Sequence, residues 1–160
     1  AAKLDEPLGQ FINIYRPACF DRVGLRYVNA FSREQLDLVG RRWNDLLQPS
    51  YLGVLDEDDI DEGSVSKCSV DVERRLDAQS ALKLHAGPGF VQRNVRNGNQ
   101  VQRVQEKEVR FILDQDVYST AKVKVAAVPE TLNALHGHAD QIFSDAITTV
   151  LHDAMEPEYL

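Results

Sequence analysis

The C-terminal third of the chain carries the pattern that most constrains its fold. Pro129 suits the first turn of a helix, where a missing N–H costs nothing, and Glu130 complements the helix N-terminus. After them, apolar residues recur every three or four positions for about six helical turns. These residues are Leu132, Leu135, Ala139, Ile142, Phe143, Ala146, Val150 and Leu151. Such a helix must bury its apolar side against a sheet or another chain, so we predict one long C-terminal helix.

Apolar and polar residues alternate in four other segments, which is typical of strands with one buried face. These segments are residues 20–29, 66–76, 81–86 and 108–115. We expect Gly87, Pro88 and Gly89 to interrupt the third strand as a bend or bulge. The polar residues 92–107, with the turn signal Asn97–Gly98, predict a projecting hairpin or loop.

A shorter helix is predicted between the first two strands. Ser32 can cap its N-terminus, Gln35 can return the hydrogen bond, and Pro49 ends it. Its apolar positions include Trp43, which we expect in the core. The predicted fold class is α+β: an antiparallel sheet of about four strands, with helices packed on one face and a long C-terminal helix.

Length and composition favour one ordinary globular domain spanning residues 1–160. The chain has 160 residues, of which 43% are hydrophobic and 27% charged. It begins without Met, so we expect it to be a processed product of a longer polypeptide. The net charge of −7 disfavours a nucleic-acid partner. No apolar run approaches the roughly 20 residues of a membrane span and no leader is visible, so we predict a cytoplasmic protein.

The stretch FILDQDVYST, residues 111–120, raises the question of a ligand or metal site. Side chains two apart on a strand share one face, so Asp114 and Asp116 could meet one ligand, with Arg26 and His85 as further candidates. No further ligands stand at a spacing typical of a metal site. We therefore favour a structural role, such as an ion pair of Asp114 with Arg26 or Arg110, and predict neither catalytic residues nor a metal.

Other patterns of catalytic or metal sites fail. The acidic segment after Leu55 lacks the glycine position of a calcium loop, and His136 and His138 lie roughly 200° apart around their helix. Cys19 and Cys68 stand alone, and we expect two buried or half-buried thiols. No nucleophile elbow, phosphate loop or dinucleotide glycine pattern occurs, so no cofactor is predicted.

Three stretches together resemble a known family. They are FDRVGLRYVN at residues 20–29, FILDQDVY at 111–118, and the C-terminal pair LH at 135–136 and FSDAIT at 143–148. Their order resembles the C-terminal part of a sporadically distributed family of uncharacterised prokaryotic proteins, whose members usually carry a further N-terminal portion. The resemblance implies the same fold and a cytoplasmic location, and it implies no activity.

The function expected from these observations is a non-enzymatic protein-interaction or regulatory domain with a protein partner or self-association. One alternative is an enzyme whose carboxylate site at Asp114 and Asp116 is completed by a missing N-terminal portion. Another is a chaperone-like peptide-binding module, which would need an exposed apolar groove. A concave pocket containing the two aspartates with Arg26 or His85 would favour the enzyme.

Overall fold

The computed structural model of the chain describes residues 2–97 and 100–155. The helices are α1 (Ala2–Tyr15), α2 (Trp43–Leu46), α3 (Val128–Ala146) and α4 (Thr149–Ala154). The strands are β1 (Cys19–Phe20), β2 (Gly24–Phe31), β3 (Val70–Arg75), β4 (Ser80–Asn97), β5 (Gln100–Ser119) and β6 (Val123–Lys124). Short 3₁₀ turns cover Pro49–Tyr51, Gly53–Asp56, Glu62–Ser64 and Val125–Ala127.

The main sheet has four antiparallel strands in the order β2-β5-β4-β3. A second sheet pairs the two-residue strands β1 and β6. The α+β class and the antiparallel sheet are therefore confirmed, and the described residues form six strands where about four were expected. None of the helices in this described part is long and apolar enough to cross a membrane.

Helices cover one face of the main sheet, as predicted. The odd-numbered residues of β5 face them: Phe111, Leu113 and Val117 are all fully buried. Trp43 of α2 is also buried, and its ring lies 5.4 Å from that of Phe111. Helix α3 crosses β2 and β5, and Phe143 contributes a ring 6.1 Å from Phe31. The even-numbered residues of β5 point to the opposite face, here called the open face.

The helix predicted after Ser32 is wrong over most of its length, because residues 33–42 form turns. Ser32 does accept a hydrogen bond from the Gln35 N–H at 3.0 Å. The backbone then turns left-handed at Asp37 (φ 55°) and Gly40 (φ 90°), a conformation that ends a helix. Only α2 remains of the predicted helix.

The long C-terminal helix exists, but it is not continuous. Ile147 is extended (φ −97°, ψ 152°) and forms a β-bridge with Leu47. Thr148 then caps α4 by accepting a hydrogen bond from the Leu151 N–H. The pairing with residue 47 replaces helical hydrogen bonds at this point, which an apolar periodicity cannot reveal.

Strand β4 runs through Gly87, Pro88 and Gly89, so the predicted interruption there is wrong. A Cβ on Gly87 would lie 2.4 Å from the carbonyl oxygen of Cys68. The glycine therefore serves a close approach of two backbones. The irregularity in pairing with β5 comes later, between Phe90 and Gln92.

The projecting hairpin is confirmed. Beyond the pair Phe90 and Val109, β4 and β5 continue as a two-stranded ribbon as far as the pair Asn97 and Gln100. We call residues 91–97 and 100–107 the ribbon arm. In the described residues the arm pairs with neither β2 nor β3. The predicted turn at Asn97–Gly98 reaches residue 98, which lies outside the described residues.

Candidate functional site

The structure brings all four predicted ligand candidates together on the open face. In the register of the sheet, Asp116 lies between Arg26 of β2 and Lys83 of β4. Asp114 lies two residue pairs further along, opposite His85. The prediction that Asp114 and Asp116 share a face is therefore confirmed, and Arg26 and His85 lie next to them.

Each of the two aspartates is already held by an arginine. Arg26 donates two hydrogen bonds to Asp114, Nε to Oδ1 at 2.8 Å and Nη2 to Oδ2 at 2.5 Å. Arg22 donates to Asp116 at 2.6 Å. The hydrogen bonds from Arg26 lower the pKa of Asp114 below its ordinary value and outweigh the opposing effect of burial. The ion pair of Asp114 with Arg26 that the sequence suggested is confirmed.

The rest of the open face continues the same alternation of charges. The ring nitrogen Nδ1 of His85 lies 2.7 Å from Asp71 Oδ1, and its hydrogen bond lowers the pKa of Asp71. Lys83 lies 3.6 Å from Glu73, which also accepts a hydrogen bond from the Tyr118 hydroxyl. Hydrogen bonds and ion pairs with neighbouring side chains thus satisfy the carboxylates of the open face.

Four cavities in the described part of the chain, of about 780, 240, 530 and 200 Å³, are lined by residues other than Asp114, Asp116, Arg26 and His85. Within the same described part, no three His, Cys, Asp or Glu side chains are grouped so that they could hold a metal ion. The arrangement supports a structural network more strongly than a catalytic carboxylate pair.

A second polar cluster, which the sequence patterns did not predict, lies at the base of the ribbon arm. Glu108 accepts hydrogen bonds from the Ser32 hydroxyl at 2.6 Å and from the Glu34 N–H at 3.0 Å. Arg110 lies 3.4 Å from Glu108 and 2.6 Å from Glu106. Burial alone would raise the pKa of Glu108, but these donors and Arg110 lower it. The cluster ties residues 32–34 to β5.

A cavity of about 780 Å³ lies beside this cluster. Its walls are residues 33–34 and 39–42, the base of the arm at residues 108–109, and residues 58–62. We call residues 56–62 the acidic segment. Arg42 holds its backbone through the carbonyl oxygens of Glu57 and Ile60. The acidic segment is thus positioned by Arg42 next to the base of the arm.

The other predicted features fall in separate places. His136 contacts Tyr27 at 3.0 Å and His138 contacts Asp77 at 2.8 Å, so the two histidines have different partners. Cys68 is half-buried, as expected, and its thiol donates to the Leu52 carbonyl oxygen at 3.3 Å. Cys19 is exposed, so the expectation of a buried or half-buried thiol is wrong there. Strand β1 is too short to bring Cys19 under the helices.

Gln115 is the polar residue that sequence reasoning missed. It lies between the two aspartates and points to the covered face, where only 2% of it is exposed. Its Oε1 atom has no hydrogen-bond partner. A signal was present in the sequence, because Gln115 occupies an odd-numbered position in the alternation that otherwise buries Phe111, Leu113 and Val117.

Comparisons of the chain with models of protein families, with curated proteins and with solved structures find no match. The resemblance to the family with the RVGLRYVN strand therefore stays a prediction. What the chain does must be argued from its own geometry.

Proposed function

We propose that this chain is a non-enzymatic protein-interaction domain whose contact element is the ribbon arm. The observation that carries the proposal is the arm itself, a two-stranded ribbon that continues beyond the sheet. An isolated two-stranded ribbon is marginally stable in water. Its valines are exposed, Val101 to 61% and Val104 to 42%. A partner surface would bury these side chains and order the ribbon.

The charge of the arm indicates what kind of surface it fits. Residues 91–107 hold four basic residues and one acidic residue, a formal charge of +3, so the remainder of the chain carries −10. The acidic segment concentrates six of these carboxylates within residues 56–62. Among them, Asp58, Asp59 and Asp61 are exposed. Opposite charges on two such surfaces favour their association and set its orientation.

A second copy of the chain is therefore the partner that the charges fit. The acidic segment and the base of the arm line the same cavity, so the two surfaces lie next to each other. In a two-fold arrangement, the arm of each copy lies on the acidic segment of the other. Such an interface is closed and stops at a dimer.

The test is sedimentation velocity at low and high salt. We expect a dimer at micromolar concentrations, weakened by added salt. A variant in which Asn-Gly replaces residues 92–105 should be a folded monomer. Arg96→Gln/Arg103→Gln should weaken the dimer at least tenfold, whereas the matched loss of charge in Lys67→Gln/Lys124→Gln should not. A monomeric wild type, or a shortened variant that still dimerises, contradicts the proposal.

The two alternatives receive less support from the geometry. The enzyme alternative places its chemistry at Asp114 and Asp116, whose carboxylates are already paired with Arg26 and Arg22. The chaperone alternative needs a long apolar groove. One apolar cavity, between Leu8, Phe20 and Leu132, holds about 240 Å³, which is too small for a peptide segment.

We also propose that the protein belongs to the prokaryotic family that its three stretches resemble, and that it is cytoplasmic. The absence of a membrane-spanning helix among the described residues agrees with that location. Fractionation of the native host with an antibody to this chain tests it, and recovery in the membrane or extracellular fraction contradicts it.

A further inference from the structure

The covered face of the sheet contains a polar group without a partner. Gln115 lies in β5, which is flanked by β2 and β4, and is 98% buried, yet its Oε1 accepts no hydrogen bond. A buried carbonyl oxygen without a donor destabilises the folded state, so such groups in native proteins ask for an explanation. An apolar side chain would fit the alternation of this strand better.

Gln115 lines a small cavity between β2, β5 and α3. The volume is about 200 Å³. Its walls are Tyr27, Asn29, Gln115, Ala139, Asp140 and Phe143. Ala139 is the small residue of α3 in this wall. At about 30 Å³ per water-sized group, the space holds about six or seven non-hydrogen atoms.

The lining determines which ligand chemistry fits. Gln115 carries an acceptor oxygen without a partner, which has less than 1 Å² of accessible surface and must turn toward the cavity to meet a ligand. Asp140 adds a carboxylate at the exposed rim. The Tyr27 hydroxyl is bonded to His136 Nδ1 at 3.0 Å, and His136 Nε2 lies 3.4 Å from Asp140. No Lys or Arg is among the residues that line this cavity, so an anion has no cationic partner there. The aromatic rings of Tyr27 and Phe143 favour a cation.

We propose that this cavity binds a small primary ammonium compound. Its N–H groups donate to the Asp140 carboxylate and, after rotation of the Gln115 side chain, to Gln115 Oε1. Its short apolar chain contacts Phe143 and Ala139. The inference does not depend on the ribbon arm, which is a separate part of the molecule.

Isothermal titration calorimetry at neutral pH tests the proposal with three probes of similar size: n-butylammonium, n-butanol and butyrate. We expect n-butylammonium to bind, and the neutral and anionic probes to bind at least tenfold more weakly. The proposal is overturned if butanol or butyrate binds with the same affinity as n-butylammonium. It is also overturned if n-butylammonium shows no measurable binding.

Variants of the lining residues locate the binding. Gln115→Leu should weaken n-butylammonium binding at least tenfold. Asp140→Asn, on the exposed side of α3, keeps the fold and should weaken binding about fivefold to tenfold, by the loss of a charge-assisted hydrogen bond. Asp145→Asn removes an equal charge from the same helix outside the cavity and should leave binding unchanged. Unchanged affinity in Asp140→Asn and Gln115→Leu overturns the site.

Nuclear magnetic resonance supplies a readout that is independent of affinity. On addition of n-butylammonium, the side-chain amide signals of Gln115 and the backbone amide signals of Ala139 should shift. The signals of Gln105, on the ribbon arm, should stay in place. Shifts confined to the acidic segment would assign the binding to surface charge and overturn the proposal.

Discussion

Three consecutive residues of β5, Asp114, Gln115 and Asp116, show how differently the two faces of one sheet treat polar groups. The aspartates point to the open face, where arginines hold both carboxylates. Gln115 points to the covered face, where its carbonyl oxygen has no partner. The two charged aspartates have hydrogen-bond partners, whereas the carbonyl oxygen of the neutral Gln115 has none. The aspartates therefore have a structural role, and Gln115 belongs to the candidate site.

The physical reason is the difference in surroundings. Long, flexible arginine side chains can reach a carboxylate across an exposed face, and water satisfies the remaining hydrogen-bonding groups. A buried amide depends on the few groups packed around it. An exposed ion pair contributes about 0.2–1 kcal/mol to stability, whereas an unsatisfied buried group costs about 1–3 kcal/mol. The comparison can be tested with paired variants on the two faces.

The largest difference should come from removing apolar side chains. Phe111→Ala, on the covered face, should lower the free energy of unfolding by about 3–5 kcal/mol, because it empties space beside Trp43. Ile112→Ala, the neighbouring residue on the half-exposed open face, should cost about 1 kcal/mol. Urea unfolding measures both. Equal losses would show that the open face is buried in solution.

The next effect is a gain in stability. Gln115→Leu should raise the free energy of unfolding by about 1–2 kcal/mol, because it removes the unsatisfied oxygen and adds apolar contact. The control Gln105→Leu, on the exposed ribbon arm, should change stability by less than about 0.5 kcal/mol. A loss of stability in Gln115→Leu would mean that water or another group already satisfies Gln115.

Breaking the ion pair of Asp114 with Arg26 should have a smaller effect. A double-mutant cycle with Asp114→Asn and Arg26→Gln should give a coupling energy of about 0.2–1 kcal/mol, reduced by added salt, because Arg26 is largely exposed. A coupling energy well above this range, or one that salt does not change, would show that the pair is desolvated. That result would favour the enzyme alternative with a carboxylate site at Asp114 and Asp116.

The smallest effect is a dependence on pH. The pKa of Asp114 is lowered in the folded state, first by its hydrogen bonds to Arg26, so its ionised form stabilises the fold. This contribution is present above the carboxyl pKa of the unfolded chain, about 3.9, and disappears as pH falls through the lower pKa of the folded state. Between pH 5 and pH 3, wild type should therefore lose more stability than Asp114→Asn. Parallel curves would contradict the shift.

Local sequence patterns predicted much of the fold, and they predicted that Asp114 and Asp116 lie on the same face of the sheet. Alternation in β5 requires Asp114 and Asp116 to share a face, because side chains repeat every two residues along a strand. The spacing of apolar residues likewise predicted a helix over the range that α3 covers. The break at Ile147 and the turns in place of a helix over residues 33–42 could not be predicted, since both depend on contacts or backbone angles that periodicity does not contain.

The sequence by itself determined the alternating strands, the C-terminal helical stripe and the shared face of the two aspartates, because each follows from a backbone repeat. Only the tertiary structure decided the partners. Register places Asp114 between Val28 and His85, while the packing of α3 encloses Gln115 beside Ala139. Whether a polar side chain finds a hydrogen-bond partner depends on distance in space. The packing of sheets and helices therefore decides which residues, far apart in the chain, become partners.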